Sequence, residues 1–185
     1  YTTLLRSVLF DSKNRKLNIG LRRKNSQQII PIEHCLVLEQ PLNDLLPKLT
    51  ALFAQWSMPQ QLGHIELVAA DNGIAMLLRH IKNIGETDRT LLLRFAEQQQ
   101  LMLFVQEHDS IEHWYGEQTY YRLGDDITLQ FDIRDFIQIN TELNRQMIAT
   151  ALDWLELNPQ DHVLDLFCGM GNFTLPLSRD RKSVV

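Results

Sequence analysis

Towards one end of the chain, Asp165, Cys168, Gly169, Gly171 and Asn172 crowd into the stretch Val163-Leu-Asp-Leu-Phe-Cys-Gly-Met-Gly-Asn-Phe-Thr-Leu-Pro-Leu177. The set offers a carboxylate, a thiol, a side-chain amide and two residues without a Cβ. Gly169 and Gly171 let the backbone turn sharply and lie close to a ligand. Cys168 is a candidate nucleophile, but a reactive thiol needs a polarising neighbour or a base. The sequence indicates neither, so Cys168 is expected to be structural. Asp165 could anchor the loop amides or reach the ligand. The flanking residues say which elements must hold this group. Val163 to Phe167 is a short apolar run with one acid inside it, which reads as a buried parallel strand. Phe173 to Leu177 resumes apolar spacing as a helix would. Strand, glycine loop and helix form the opening unit of a nucleotide-binding α/β domain, whose ligand sits beyond the strand's carboxyl end.

The residues narrow the choice of ligand. A dinucleotide fingerprint needs a third Gly or Ala three residues after the second, and Thr174 stands there. No Lys-Ser or Lys-Thr pair follows the glycines, which excludes a P-loop. An acid-bearing strand followed by Gly-x-Gly suits an S-adenosylmethionine site, although Gly-x-Gly alone is weak evidence against a mere tight turn. The wording of the stretch goes further. Asp165 to Leu177 closely resembles motif I of the RNA (uracil-5-)-methyltransferases. Upstream, Asp135-Phe-Ile-Gln-Ile-Asn140 is similar to that family's Phe-x-Gln-x-Asn motif. Two uncommon motifs thus stand in the family's order with similar spacing. The resemblance is greatest to members that methylate a uridine of 23S, large-subunit, ribosomal RNA, and it covers the whole chain as the middle of a longer protein.

The resemblance implies a set of roles. Gln138, Phe167, Gly169, Gly171 and Asn172 would contact S-adenosylmethionine, with Gln138 offering both an amide donor and an acceptor. Phe136 and Asn140 would line the pocket for the base, while Phe136 reads as readily as core packing. In the family a thiolate adds to uracil C6, C5 attacks the sulfonium methyl, and a base removes the C5 proton before the thiol leaves. That Cys and that base belong to a Ser-Cys-Asn/Pro-Pro motif and an Asp-Pro-x-Arg motif, neither of which occurs here. The full-length protein is therefore expected to be an enzyme and this segment to be inactive alone. Cys35 matches the last of four cysteines that hold a [4Fe-4S] cluster in such enzymes. The other three would lie before Tyr1, so an intact cluster is not expected in these residues. By itself a lone Cys is more often a small buried hydrophobe, and no Cys-x-x-Cys pair is present. The neighbouring His34 reads as a surface residue.

Composition sets the frame. The 44% hydrophobic content suits a globular core, and no apolar run approaches the ~20 residues of a membrane span. No secretory signal is visible at Tyr1. Two cysteines do not suggest a disulfide scaffold and fit a reducing cytoplasm. Residues 1–28 hold seven Lys and Arg against Asp11 alone, a net of +6, whereas the remainder carries 11 basic and 22 acidic residues, a net of −11. The basic end reads either as an RNA-contacting surface or as a solvated hairpin. Two readings from other classes stay open: a non-catalytic RNA-binding module, and an oxidoreductase with a degenerate dinucleotide loop.

The pattern along the chain predicts an α/β protein in two parts. Residues 1–133 form a mixed α+β central domain of antiparallel hairpins and two helices, carrying the basic hairpin and Cys35. Residues 134–185 form the truncated start of a Rossmann-like S-adenosylmethionine-dependent methyltransferase domain. Leu4–Phe10 pairs with Lys16–Arg22, Gln28–Ile32 adds a short strand, and His64–Ala70 pairs with Ile74–Ile81 across Asp71-Asn-Gly73. Asn43 to Trp56 is a helix, provided that Pro47 falls in its first turn. Thr87 caps a helix to about Gln100, Leu101–Gln106 is a strand, and Tyr120–Leu123 pairs with Ile127–Ile133. Asn140 or Thr141 caps a helix to Leu157 whose apolar stripe is core. A lone Val163–Phe167 strand would have open edges, so residues from about Asp161 onward are expected to pair with a second copy, to rearrange or to be mobile.

Overall fold

The computed structural model describes residues 8–179 except 12–15, 27, 37, 124–126 and 139; of 8–11 and 16 it describes the backbone. Contacts divide the chain into two compact units, Thr3–Thr119 and, with the first two residues, Tyr120–Val185. The division expected after residue 133 differs from this one by a single hairpin, which packs with the elements that follow it.

The first unit begins with an antiparallel sheet of β1 (Val8–Asp11), β2 (Lys16–Arg22) and β3 (Ile29–Pro31). The expected hairpin is there, with Val8 opposite Ile19 and Asp11 opposite Lys16; most of its turn lies outside the described residues. The helix α1 (Gln40–Phe53) follows. It starts earlier than expected, so Pro47 falls in the helix interior. An interior proline removes a backbone bond and costs about 3 kcal/mol. Leu42, Leu45, Leu46, Leu49, Leu52 and Phe53 are all buried along the same helix. Burial of each such side chain contributes roughly 1.5–3 kcal/mol, which outweighs the broken bond.

A second sheet runs β4 (Leu62–Ala70), β5 (Gly73–His80), β6 (Leu101–Glu107) and β7 (Ser110–Tyr115) in sequence order. The two-residue turn Asp71-Asn72 joins β4 to β5, and Gly73 closes it at φ 131°. β5 and β6 are parallel, which requires a crossover, and α2 (Glu86–Gln99) supplies it. Gly85, not Thr87, is the N-cap of α2 and makes no side-chain cap bond. The start is held by tertiary contact instead. Asp88 is buried and accepts bonds from the Ser57 amide at 3.0 Å and the Ser57 hydroxyl at 2.5 Å. Alternate residues of the central strands, among them Ile65, Leu67, Met76, Leu78, Leu103 and Val105, join the α1 and α2 side chains in one core.

The second unit opens with an antiparallel hairpin, β8 (Tyr120–Leu123) and β9 (Ile127–Gln130). The helices α3 (Thr141–Leu155) and α4 (Thr174–Ser178) follow. Asn140 caps α3 as expected, its Oδ1 accepting from the Leu143 amide at 2.9 Å. The apolar stripe of α3 is core only in part, however. Ile148 is buried with Leu152 packed into the same cluster, and Asn144 is buried, while Leu143 is 52% exposed and Leu155 49%. The reason lies in the next segment. Val163 makes a single β-bridge, Leu164 and Asp165 are irregular, and Leu166-Phe167 turn. The expected strand is therefore not formed. A strand exists through its ladder, and among the described residues β8 and β9 pair only with each other. Between α3 and this segment lies a cavity of about 240 Å³ lined by Ile148, Leu152, Val163, Phe173 and Leu177.

Candidate functional site

Two segments of the second unit carry the expected site residues. The first enters through a tight turn. The Asp132 amide donates to Asp135 Oδ2 at 2.7 Å, and the Asp135 amide donates to the Asp132 carbonyl at 2.8 Å. Arg134 folds back on the Asp132 carboxylate, its Nε donating to Asp132 Oδ1 at 3.0 Å. That hydrogen bond holds the Asp132 carboxyl below the ordinary carboxylate range. Beyond the turn, Phe136 and Gln138 are exposed with buried Ile137 between them. Ile137 is the anchor of the segment. Phe136, at 66% exposed, is not packed into a core of these residues. Asn140 spends its carbonyl oxygen on the α3 cap.

The second segment is the glycine loop, and its backbone is unusual at three places. Phe167, Gly169 and Gly171 have φ of 62°, 58° and 91°. Glycine adopts this region freely, but a bulky residue there is an outlier that costs of order 1–3 kcal/mol. Phe167 is at the same time fully exposed. A Cβ added at Gly169 would meet nothing within 4 Å, so the loop backbone is open on that side. A Cβ at Gly171 would come within 3.1 Å of the Leu175 side chain. The loop closes with the Gly171 amide donating to the Cys168 carbonyl at 3.0 Å, and the Leu175 amide donates to the Gly171 carbonyl, also at 3.0 Å, as α4 begins. An open, positive-φ backbone of this kind leaves room for the close approach of a small polar ligand.

Among the described residues, the partner recorded for the Asp165 carboxylate is a hydroxyl and not a loop amide. Its Oδ2 accepts from the Thr174 hydroxyl at 2.5 Å, tying the residue before the loop to the first residue of α4. Thr174, which breaks the dinucleotide pattern, thus has a structural use. Cys168 is exposed, and among the described residues its thiol meets no base; its one polar contact is the Gly169 carbonyl at 3.7 Å. Asn172 is brought together with two residues that the sequence reading missed. Its amide exchanges two hydrogen bonds with that of Asn144 on α3, each 2.9 Å. The Tyr121 hydroxyl of β8 donates to the same Asn172 oxygen at 3.4 Å. A signal for Asn144 existed: it is a polar residue one helical turn before Ile148, on the stripe that the spacing marks as buried. No hydrogen bond links Phe136 or Gln138 to the loop among the described residues.

Cys35 lies in the first unit, partly buried against the core cluster. Asn43 of α1 clamps its backbone, accepting from the Cys35 amide at 2.8 Å and donating to the Cys35 carbonyl at 3.0 Å. A four-iron cluster needs four thiolates. Among the described residues no three His, Cys, Asp or Glu side chains gather as a metal site. No helix among the described residues is long and apolar enough to cross a membrane.

Comparison with known proteins places these features in context. The chain is 61% identical over 179 residues to the 23S rRNA (uracil(1939)-C(5))-methyltransferase RlmD of Haemophilus parainfluenzae, covering 97% of this chain and 41% of that protein. It is 49% identical over 180 residues to the RlmD of Photobacterium profundum, covering 97% of this chain and 38% of the relative. The chain therefore spans about two fifths of the length of the curated relatives it matches. The fold is similar to that of the Pyrococcus abyssi tRNA (uracil-54, C5)-methyltransferase solved with S-adenosyl-L-homocysteine. The TM-score is 0.69 at 16% identity, over 94% of this chain and 45% of the other. That likeness establishes the mixed α/β fold. The sequence model of the tRNA (Uracil-5-)-methyltransferase family matches residues 8–185, and the chain belongs to that family.

Proposed function

We propose that this chain is part of an S-adenosylmethionine-dependent methyltransferase that methylates C5 of a uridine in 23S ribosomal RNA in the cytoplasm. The 61% identity to a 23S ribosomal RNA uracil-C5 methyltransferase over nearly the whole chain carries this reading. Residues 134–185 begin the methyltransferase domain, and residues 1–133 form the domain before it. Gln138, Phe167, Gly169, Gly171 and Asn172 hold the cofactor, while Phe136 and Asn140 line the base pocket. The exposure of Phe136 and Phe167 and the open backbone at Gly169 support those roles. When bound, S-adenosylmethionine supplies an electrophilic methyl. Uracil C5 becomes nucleophilic enough to take it once a Cys thiolate adds at C6; loss of the C5 proton to a base and departure of the thiol complete the exchange. Cys35 contributes one thiolate to a [4Fe-4S] cluster in the full-length protein. Exposed Arg22, Arg23 and Lys24 fit the RNA-contacting reading of the basic end.

Residues 1–185 alone are expected to be inactive, because the family's nucleophile and base motifs are not among them. Transfer of labelled methyl to unmodified 23S ribosomal RNA tests both parts. The full-length protein should give a C5-methylated uridine, and residues 1–185 should give none. Product from residues 1–185 would return Cys168 to consideration as a nucleophile. Tight RNA binding by the full-length protein with no methyl transfer would favour the binding-module alternative.

A further inference from the structure

The glycine loop raises a mechanical question. Two positive-φ glycines make a backbone that can adopt many shapes, yet a cofactor loop must hold one. The first side chain after the glycines that ties the loop to other elements is Asn172, through Asn144 on α3 and Tyr121 on β8. Asn144 is only 4% exposed, in a helix whose other buried side chain is Ile148. A buried amide must find partners, and Asn144 finds one donor and one acceptor in a single residue. Asn172 uses one of its two Nδ2 hydrogens in this pair, and among the described residues the other meets no acceptor.

We propose that Asn144 is a positioning residue for the cofactor: it holds Asn172, and through it the loop 168–172, in the shape that receives S-adenosylmethionine. This rests on the cofactor reading above. Asn144 itself acts only through Asn172.

The test is titration calorimetry of S-adenosylmethionine with the full-length protein and its variants. Asn144→Ala should weaken binding about tenfold, the change expected when one hydrogen-bonded contact is lost. Asn144→Asp keeps the size and still accepts from Asn172, but cannot donate to its Oδ1, so it should weaken binding as well. It decides the matter should the alanine variant fail to fold, with thermal unfolding as the check on both. In the Asn172→Ala background, Asn144→Ala should cost nothing more, because its effect passes through Asn172. In turnover, the KM for S-adenosylmethionine should rise while kcat stays within about twofold. Wild-type protein that does not bind S-adenosylmethionine would overturn the cofactor reading and this inference together. Wild-type protein that binds, with folded Asn144 variants that bind equally well, would overturn this inference alone. An equal loss from Asn144→Ala with and without Asn172 would do the same, because it would mark a general effect of α3 on stability.

Discussion

Asn140 and Asn172 are both candidate site residues, and the structure uses their amides differently. Asn140 satisfies a helix N-terminus, so any base contact falls to its amide hydrogens. Asn172 is half-buried and tied to two elements through its side chain. The third member of that network carries a pH signature. Burial raises the Tyr121 hydroxyl above its ordinary value of 10.0, since the phenolate would lose its water. The folded state then binds this proton more tightly than the unfolded state does. The stabilising contribution is therefore full below the unfolded value and is lost as pH rises through the folded one. Tyr121→Phe should flatten the alkaline decline in stability while leaving its neutral-pH value within about 1 kcal/mol, the usual range for one hydrogen bond. Urea melts near neutrality and above pH 10 measure both; an unchanged alkaline decline would show that Tyr121 does not carry it.

Among the elements, β2 depends most plainly on a single residue. Gly20 faces Pro31 across the ladder. A Cβ there would stand 1.9 Å from the Ile30 carbonyl oxygen. Nothing flexible can give way, since the clash is with backbone. Gly20→Ala must therefore displace β3 and should cost about 1–3 kcal/mol, as overpacking does. The same loss should appear as faster hydrogen exchange at the Ile32 amide, which bonds the Ile19 carbonyl; unchanged exchange there would show that β3 yields without cost. Elements of this unit were largely legible where a local rule acts alone. Asp71-Asn-Gly73 specifies its hairpin through glycine's φ, and Lys16–Arg22 appears with the predicted ends. Reading failed where tertiary contact decides. β7 was missed because it lies at a sheet edge with Ser110, Glu112, His113 and Tyr115 exposed, so no alternation marks it. Gly85 replaces Thr87 as a cap because Asp88 is held from outside the helix by Ser57. In the site, motif residues were legible by type, but the Asn144–Asn172 pair joins residues far apart in sequence, and only the spacing of α3 hinted at it.

At the scale of the whole molecule the two units are built to different standards. The first has a continuous core in which Leu49, Leu67, Met76, Leu78, Leu92 and Leu103 are essentially inaccessible. Among the described residues of the second, Leu123, Leu129 and Ile148 form a small cluster with Tyr121, Leu152, Met170 and Phe173 packed around it, and Phe131, Ile133, Ile137 and Leu177 are buried as well. This unit leaves Trp154, Leu155, Leu164, Leu166 and Phe167 exposed. Local opening is easiest where few apolar contacts and few backbone bonds resist it. Amides of β4, β5 and β6 should therefore exchange only through global unfolding of their unit. Those of Leu164, Leu166 and Phe167, which lie in no strand, should exchange at close to unprotected rates in a monomer. Exposed apolar side chains on α3 and the loop also favour association, and burial of a surface between two copies would slow exchange there. The two effects separate by concentration. Dilution that abolishes protection at residues 164–167, with sedimentation reporting a dimer-to-monomer change, would mark self-association through this face. Protection that persists at every dilution in a monomer would mean that the segment forms a satisfied strand in solution, and the account of its missing ladder would fail.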